Sequence, residues 1–170
     1  AAVAIAKERG LDLVASFGPE LVMGVATYAQ ELFNAAGALD AVYVPVGMGS
    51  GICSVIAVRD LLGLKTKVIG VVSSNANAIA LSFAEGKPIS TNSASTFADG
   101  VAVRVVNPDA FAIIKHGAER IVEVSDDDIA EAMRLLFRSC HTLAEGAGAA
   151  ATAALMRERA KMRGKRAGVI

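Results

Sequence analysis

The segment that decides the fold is residues 42–54, VYVPVGMGSGICS. An apolar run enters glycines at positions 47, 49 and 51, and a helical pattern follows. A strand that turns through glycines into a helix leaves backbone N–H groups free at the helix start, where the helix dipole adds positive potential. Glycines also let the chain approach a ligand closely and adopt positive φ. The segment therefore predicts a phosphate-binding loop at the carboxyl end of a parallel strand.

The rest of the chain alternates short β-rich runs with longer helical ones. Residues 41–46 are apolar on both faces, as in a central parallel strand. The alternation predicts a layered α/β fold with a mostly parallel sheet. The pattern places strands at residues 13–15, 41–46, 67–72, 120–124 and 166–170, and helices at 1–10, 19–36, 51–62, 75–85, 108–117, 126–140 and 147–163.

The composition is that of one folded domain without a strong net charge. The 170 residues are 54% hydrophobic and 20% charged, which excludes a disordered chain. The net charge is +0, so no global field recruits nucleic acid or an anionic membrane. No apolar run reaches the ~20 residues of a membrane helix. The two cysteines, Cys53 and Cys140, have no metal-ligand spacing, and a cytoplasmic location is the simplest expectation.

The residues around the glycine loop argue against several ligands that such loops bind. A P-loop needs Gly-Lys-Ser/Thr, and no lysine follows here. A dinucleotide loop needs a third glycine where Ile52 stands, and it needs an acid for the ribose at the end of the next strand. That strand ends with Val72 and Ser73, and a loop for S-adenosylmethionine lacks the same acid. A phosphate without a ribose remains, and the phosphate of pyridoxal 5′-phosphate is one.

Five blocks of the chain carry a resemblance to a known family: GPELVMGVAT (18–27), VPVGMGSG (44–51), KVIGV (67–71), TFADG (96–100) and AEGAGAA (144–150). Together they resemble the threonine/serine dehydratases, which belong to the tryptophan-synthase-β-like (fold type II) pyridoxal-phosphate enzymes. In chain order the blocks resemble the start of the family's second half, its phosphate loop, the next strand, a Thr-x-Ala-Asp-Gly segment near the cofactor, and a Glu-Pro-Ala-Gly-Ala-Ala helix start. The resemblance implies a three-layer fold, with a twisted sheet and helices on both faces.

The resemblance also implies roles for particular residues toward pyridoxal 5′-phosphate. Gly100 would let the backbone pass close to the pyridine ring. Glu145 would lie near the ring's edge and tune its protonation, although a charge that only stabilises a helix N-terminus is an open alternative. The cofactor phosphate would be held by five consecutive backbone amides, those of Gly47, Met48, Gly49, Ser50 and Gly51.

The implied reaction is β-elimination of water from a small hydroxyamino acid such as L-threonine or L-serine, which gives a 2-oxo acid and ammonia. Two pieces of the family pattern are missing from the sequence. The Schiff-base lysine lies upstream in a Ser-x-Lys-x-Arg type segment, and no lysine here has that setting. A Ser-Gly-Gly-Asn loop follows the family's last strand, and the chain stops at Ile170 before it. We therefore expect residues 1–170 to be a fragment of the catalytic unit, mainly its large domain, with no catalytic residue and no activity alone.

The family's cation site is also altered. Many relatives bind a cation through a glutamate directly after the Val-Ile-Gly-Val strand and an acid a few residues further on. Here Val72 takes the first position, and residues 75–78, Asn-Ala-Asn-Ala, carry no carboxylate. Because divalent ions favour charged oxygen ligands, the sequence predicts no magnesium or calcium at this point.

Other functions remain open from the sequence. A racemase or another β-lyase of the same fold would use the same residues. From a different class, a nucleotide- or S-adenosylmethionine-binding domain is possible, as is a non-catalytic remnant of the fold. Members of the family commonly pair as dimers, so we expect a homo-oligomer.

Overall fold

The structure is a computed structural model, and it describes residues 2–170. The sheet is built from four strands, and most connections between them are helical. The helices are α1 (Ala2–Arg9), α2 (Pro19–Ala36), α3 (Ser50–Leu61), α4 (Ala78–Glu85), α5 (Pro108–Gly117), α6 (Asp126–Cys140) and α7 (Gly146–Arg157), with a short 3-10 helix at Asp99–Val101. The strands are β1 (Ala41–Pro45), β2 (Lys67–Ser73), β3 (Ala118–Val124) and β4 (Ala167–Val169).

All strand pairs of the sheet are parallel, in the spatial order β3-β2-β1-β4. Val42 of β1 is in register with Val68 of β2 on one side and with Gly168 of β4 on the other. The carboxyl ends of the strands therefore meet at one edge of the sheet, and the segment after β1 leaves from the middle of that edge. Ligands of open parallel sheets bind at this edge.

Helices cover both faces of the sheet, as the sequence predicts. Along β1, Val42 and Val44 face a core formed with α2, α3, α4 and α5, whereas Ala41 and Tyr43 face a second core formed with α6 and α7. All four side chains are at most 2% exposed. This burial on both faces explains why β1 is apolar at every position rather than at alternate ones.

Two elements differ most from the sequence predictions, while α4 begins three residues later than predicted and β3 two residues earlier. Residues 13–15 form no strand, and Leu13 and Val14 are exposed, because no neighbouring strand pairs with them. The last helix ends at Arg157 rather than at residue 163. The chain turns at Glu158, whose buried carboxylate accepts hydrogen bonds from Tyr43 and Arg120 of the sheet. These bonds draw the end of α7 onto the sheet and stop a pattern that would otherwise continue as a helix.

No helix within residues 2–170 combines the length and the apolar character that crossing a bilayer requires.

Candidate functional site: the glycine loop and its neighbours

The glycine loop, residues 47–51, lies at the carboxyl end of β1. Val46, just beyond β1, still donates its amide to the carbonyl oxygen of Val71 on β2, at 2.8 Å. The chain then turns through three residues, and α3 begins at Ser50. The parallel pairing of β1 with β2 thus fixes the position of the chain just before the loop, and α3 fixes the position of the residues at its end.

Gly49 is the N-cap residue of α3 and needs to be glycine. Its φ is +104°, a conformation that side chains rarely tolerate. A Cβ at this position would also lie 2.9 Å from the Cβ of Ala110 on α5. The alternating glycines of the sequence therefore make a turn that packs directly against a neighbouring helix.

The backbone amides of the glycine loop are free of internal partners. Within residues 2–170, no amide from Gly47 to Ile52 donates a hydrogen bond, and the first amide of the segment that does so is that of Cys53, to the carbonyl oxygen of Gly49 at 3.0 Å. No acidic residue stands in the first turn of α3. Free donors at the positive end of a 12-residue helix form a binding site for an anion.

Gly100 lies against the glycine loop. A Cβ on Gly47 would lie 2.2 Å from the carbonyl oxygen of Gly100, so the two backbones are in direct contact. Such an approach excludes any side chain at Gly47. The structure therefore brings together two glycines that the sequence places in separate blocks.

The start of α7 completes the site. A Cβ on Gly100 would lie 2.9 Å from the Cβ of Ala147 and 3.8 Å from a carboxylate oxygen of Glu145. A Cβ on Gly146 would lie 2.8 Å from the Cα of Ala98. Three segments that are distant in the sequence, 47–51, 98–100 and 145–147, thus converge at one edge of the sheet.

Glu145 caps α7. Its carboxylate accepts hydrogen bonds from the amide of Ala147 at 3.2 Å and from the amide of Gly148 at 2.9 Å. The sequence leaves open that Glu145 is a charge that stabilises a helix N-terminus, and the structure shows such a cap. The same bonds fix the orientation of the carboxylate beside Gly100. The role of Glu145 toward a pyridine ring stays a prediction.

Met48 and Ser50 are the two residues of the glycine loop that carry side chains. His141 is the only non-glycine residue within 2–170 with a positive φ, so Met48 carries no strain of that kind. Its side chain borders a cleft of about 460 Å³, which is also lined by residues 102–108. The hydroxyl of Ser50 makes no hydrogen bond in the described part of the chain, which leaves it available to a ligand at the loop.

Two residues around the site are missed by the sequence analysis. The hydroxyl of Tyr28, on α2, donates to the carbonyl oxygen of Gly51 at 3.2 Å and braces the loop from behind. The carboxylate of Asp126 accepts from the hydroxyls of Thr96 at 2.6 Å and Ser73 at 3.0 Å. From the sequence, Asp126 is one of three acids in a helix's first turn, and only its place as the first residue of the helix after β3 could have distinguished it.

Three reactive side chains away from the site, those of Lys67, Lys115 and Cys53, are paired or buried. Lys115 donates to the carbonyl oxygen of Gly86 at 2.8 Å, and Lys67 pairs with Glu119 at 2.6 Å. Cys53 is fully buried, and burial raises the pKa of its thiol to about 12. The thiol is therefore an apolar packing group at neutral pH.

Acidic, cysteine and histidine side chains do not gather into a metal site in the described chain: no three of them converge within residues 2–170. Val72, which takes the place of the glutamate in the resemblance, and Ala78, the last of residues 75–78, are each 1% exposed and belong to the apolar core. The absence of magnesium and calcium at this point stays a prediction.

The parallel sheet, with helices on both faces and a loop of free amides after an inner strand, defines the chain as an α/β domain whose geometry suits a phosphate. The family profile described as pyridoxal-phosphate dependent enzyme matches residues 1–170. The chain therefore belongs to the pyridoxal-phosphate dependent enzymes, and the alternative of a nucleotide- or S-adenosylmethionine-binding domain is set aside.

Individual relatives agree with this family. The chain is 38% identical over 168 residues to a phenylserine dehydratase of Ralstonia pickettii, covering 98% of this chain and 52% of that protein. It superposes on threonine deaminase isoform 2 of Solanum lycopersicum with a TM-score of 0.92 and 29% identity, over 99% of this chain and 50% of the other. It also superposes on a serine racemase of Dictyostelium discoideum with a TM-score of 0.87 and 26% identity, over 99% and 55%. The chain thus spans about half the length of these relatives.

Proposed function

We propose that this chain is the phosphate-binding portion of a pyridoxal-phosphate-dependent hydroxyamino-acid dehydratase. The enzyme would remove water from L-threonine or L-serine and release a 2-oxo acid and ammonia. The observation that carries the proposal is the glycine loop, whose amides have no acceptor within residues 2–170 and whose first glycine contacts the backbone of Gly100. The similarity to a phenylserine dehydratase and a threonine deaminase favours this reaction over others of the family.

The residues present fit the phosphate of the cofactor. A dianion matches the free amides of the glycine loop, the free hydroxyl of Ser50 and the positive end of α3, where no carboxylate competes. Bound pyridoxal phosphate supplies an electron sink for the bonds at Cα of an amino acid. The task of the chain is to hold that group in place, with the amides at its phosphate and Gly100 and Glu145 toward its ring.

Catalysis would need groups beyond those of residues 1–170. Within residues 2–170, no lysine side chain makes a hydrogen bond to the glycine loop, Gly100 or Glu145, and Lys67, Lys115 and Lys161 bond to other groups. We propose that the cofactor-linked lysine belongs to another part of the catalytic unit, and that residues 1–170 form mainly its large domain. The coverage of only 52% of the phenylserine dehydratase agrees with this division.

The direct test assays the longest natural chain that carries this sequence, beside residues 1–170 alone. We expect the long chain to bind pyridoxal phosphate and to convert L-threonine, L-serine or phenylserine into equal amounts of 2-oxo acid and ammonia. Residues 1–170 alone should form neither product. A long chain that binds the cofactor but forms no 2-oxo acid would overturn the proposed dehydratase activity. A long chain that binds no cofactor would overturn the assignment of the loop.

A racemase is the second candidate, because the chain also superposes on a serine racemase with a TM-score of 0.87. Chiral analysis of the residual amino acid in the same assay separates the two. A dehydratase leaves the unreacted L-serine unchanged, whereas a racemase accumulates D-serine faster than 2-oxo acid appears.

A cytoplasmic homo-oligomer is part of the proposal. Cys53 and Cys140 are both free thiols, as expected in a reducing compartment. Large apolar side chains stay exposed near the start of the chain, among them Leu11, Leu13 and Met23, and such surfaces favour association. Sedimentation of the long chain tests this, and a monomer at all concentrations would contradict it.

A further inference from the structure

Asp126 connects the end of the sheet to the segment that carries Gly100. Its carboxylate oxygen Oδ1 accepts from the hydroxyl of Thr96 at 2.6 Å and from that of Ser73, the last residue of β2, at 3.0 Å. Burial alone would raise the pKa of Asp126, but hydrogen bonds from Thr96, Ser73 and Asn75 outweigh it and lower the pKa. The carboxylate is therefore ionised at neutral pH and is surrounded by donors.

The contacts continue from Thr96 to the glycine loop. The hydroxyl of Thr96 also accepts the amide of Ala98 at 3.1 Å, and the carbonyl oxygen of Ala98 accepts the amide of Val101 at 3.0 Å. Ala98 is fully buried under the start of α7. Between these fixed points lies Gly100, whose carbonyl oxygen touches Gly47. Asp126 thus stands at one end of a chain of contacts that ends at the proposed phosphate site.

The two neighbouring acids do not share this arrangement. Asp128 belongs to the capping box of α6 with Ser125 and pairs with Arg157 at 2.9 Å. Asp127 is exposed and makes no side-chain hydrogen bond in the described part of the chain. All three acids lie in the first turn of α6, so the helix dipole acts on each of them. The connection to Thr96 distinguishes Asp126 and makes Asp127 a matched control.

We propose that Asp126 is a positioning residue of the cofactor site, which holds the 96–101 segment so that Gly100 stays against the glycine loop. The proposal rests on the proposed function, since it assigns Asp126 to the same site. In this proposal Asp126 acts through Thr96 and the 96–101 segment, not as a ligand of the cofactor.

The first measurement is amide hydrogen exchange of Ala98, Val101 and Ala102 in the longest natural chain, without cofactor. The Asp126→Asn variant should exchange these amides about tenfold faster or more, because the acceptor that fixes Thr96 is weakened. The Asp127→Asn variant should leave them unchanged. Unchanged exchange in Asp126→Asn would overturn the anchoring role, whether or not the protein binds pyridoxal phosphate.

The second measurement is the affinity for pyridoxal phosphate, followed by fluorescence titration of the same variants. Asp126→Asn and Thr96→Val should each weaken binding by about tenfold, as expected for a hydrogen bond to a charged group. Because both substitutions break the same connection, the double variant should also lose about tenfold rather than a hundredfold. Asp127→Asn should bind as the wild type does.

The outcomes separate the two claims. Faster exchange together with unchanged cofactor affinity would show that Asp126 only supports the fold, and the proposal would fall. Additive losses in the double variant would also overturn it, because Asp126 would then act independently of Thr96. A wild type that binds no pyridoxal phosphate would overturn the proposed function and the role of Asp126 at a cofactor site. The exchange result would then still decide whether Asp126 fixes the segment.

Discussion

Glu158 and the glycine loop lie at opposite edges of the sheet, and hydrogen-bond donors gather at both, but within residues 2–170 only those at Glu158 meet an acceptor. At the amino edge of the sheet, the carboxylate of Glu158 accepts from Tyr43 at 2.7 Å, from Lys161 at 2.8 Å and from Arg120. At the carboxyl edge, the amides of the glycine loop make no hydrogen bond within residues 2–170. The same physical requirement, that buried or crowded donors find an acceptor, is met internally at one edge and left open at the other.

The contrast shows how to recognise a binding site in this fold. Burial raises the pKa of Glu158, but the hydrogen bonds from Arg120, Lys161 and Tyr43 outweigh it and set the pKa at about 2. That network is complete and needs no ligand. The glycine loop has free donors and, within residues 2–170, no anion of its own, which is the arrangement that the proposed phosphate site requires.

The largest expected effect comes from a substitution that places a side chain in the glycine loop. The Gly47→Ala variant should lose pyridoxal phosphate affinity by at least about a thousandfold, or about 4 kcal/mol, because its Cβ would lie 2.2 Å from the carbonyl oxygen of Gly100. Fluorescence titration of the longest natural chain measures the loss. Gly24→Ala is the control, since a Cβ there meets nothing within 4 Å. It should bind normally and gain about 0.5–1 kcal/mol of stability. If Gly47→Ala bound pyridoxal phosphate nearly as well as the wild type, the glycine loop would not be the phosphate site, and the contrast between the two edges of the sheet would fail.

A smaller effect is expected from removing the carboxylate charge of Glu158, which accepts the hydrogen bonds at the amino edge of the sheet. The folded-state pKa of Glu158, about 2, lies below its ordinary value of 4.5, so the unfolded chain takes up the proton first as pH falls. The stabilisation is thus fully present above pH 4.5 and is lost as pH falls toward 2. Glu158→Gln should lower the free energy of unfolding by about 3 kcal/mol at neutral pH and less in acid. Urea unfolding of both chains between neutral and acid pH measures this. A constant difference across that range would contradict it.

The smallest effect should come from making the open site resemble an ordinary helix start. Ser50→Asp places a carboxylate in the first turn of α3, where none stands now. It should raise the stability of the cofactor-free protein by about 0.5 kcal/mol through the helix dipole. It should weaken pyridoxal phosphate binding by about tenfold, because the carboxylate repels the phosphate. Ser50→Asn, of equal size and without charge, is the control. Equal binding by both variants would place the phosphate away from this loop.

Helix ends that depend on local chemistry could be predicted from the sequence. The helices at Pro19–Ala36 and Pro108–Gly117 match at both ends. Each begins with a proline, whose φ suits the first helical position, and Gly37 ends the first with a φ of +66°. The prediction of a strand at 13–15 was wrong, because a strand needs a neighbouring strand to pair with and apolar residues alone do not provide one.

The site was predictable only in part for the same reason. The glycine loop is a local strand–turn–helix feature, so its residues and its position at the sheet edge could be inferred from the sequence. The roles of Asp126 and Glu158 could not, because their partners Thr96 and Tyr43 lie 30 and 115 residues away. In the sequence, both acids have the pattern of solvent-facing helix charges.

The sequence by itself determined the parallel α/β architecture and the existence of a loop that frees its amides, because apolar periodicity and glycine conformation act within a few residues. Only the tertiary structure decided that Gly47, Gly100 and Glu145 share one edge, and that Asp126 rather than Asp127 holds Thr96. Those contacts depend on how α6 and α7 pack against the sheet. The distances in such hydrogen bonds and backbone contacts are set by the packing of the whole domain, which no local stretch of sequence specifies.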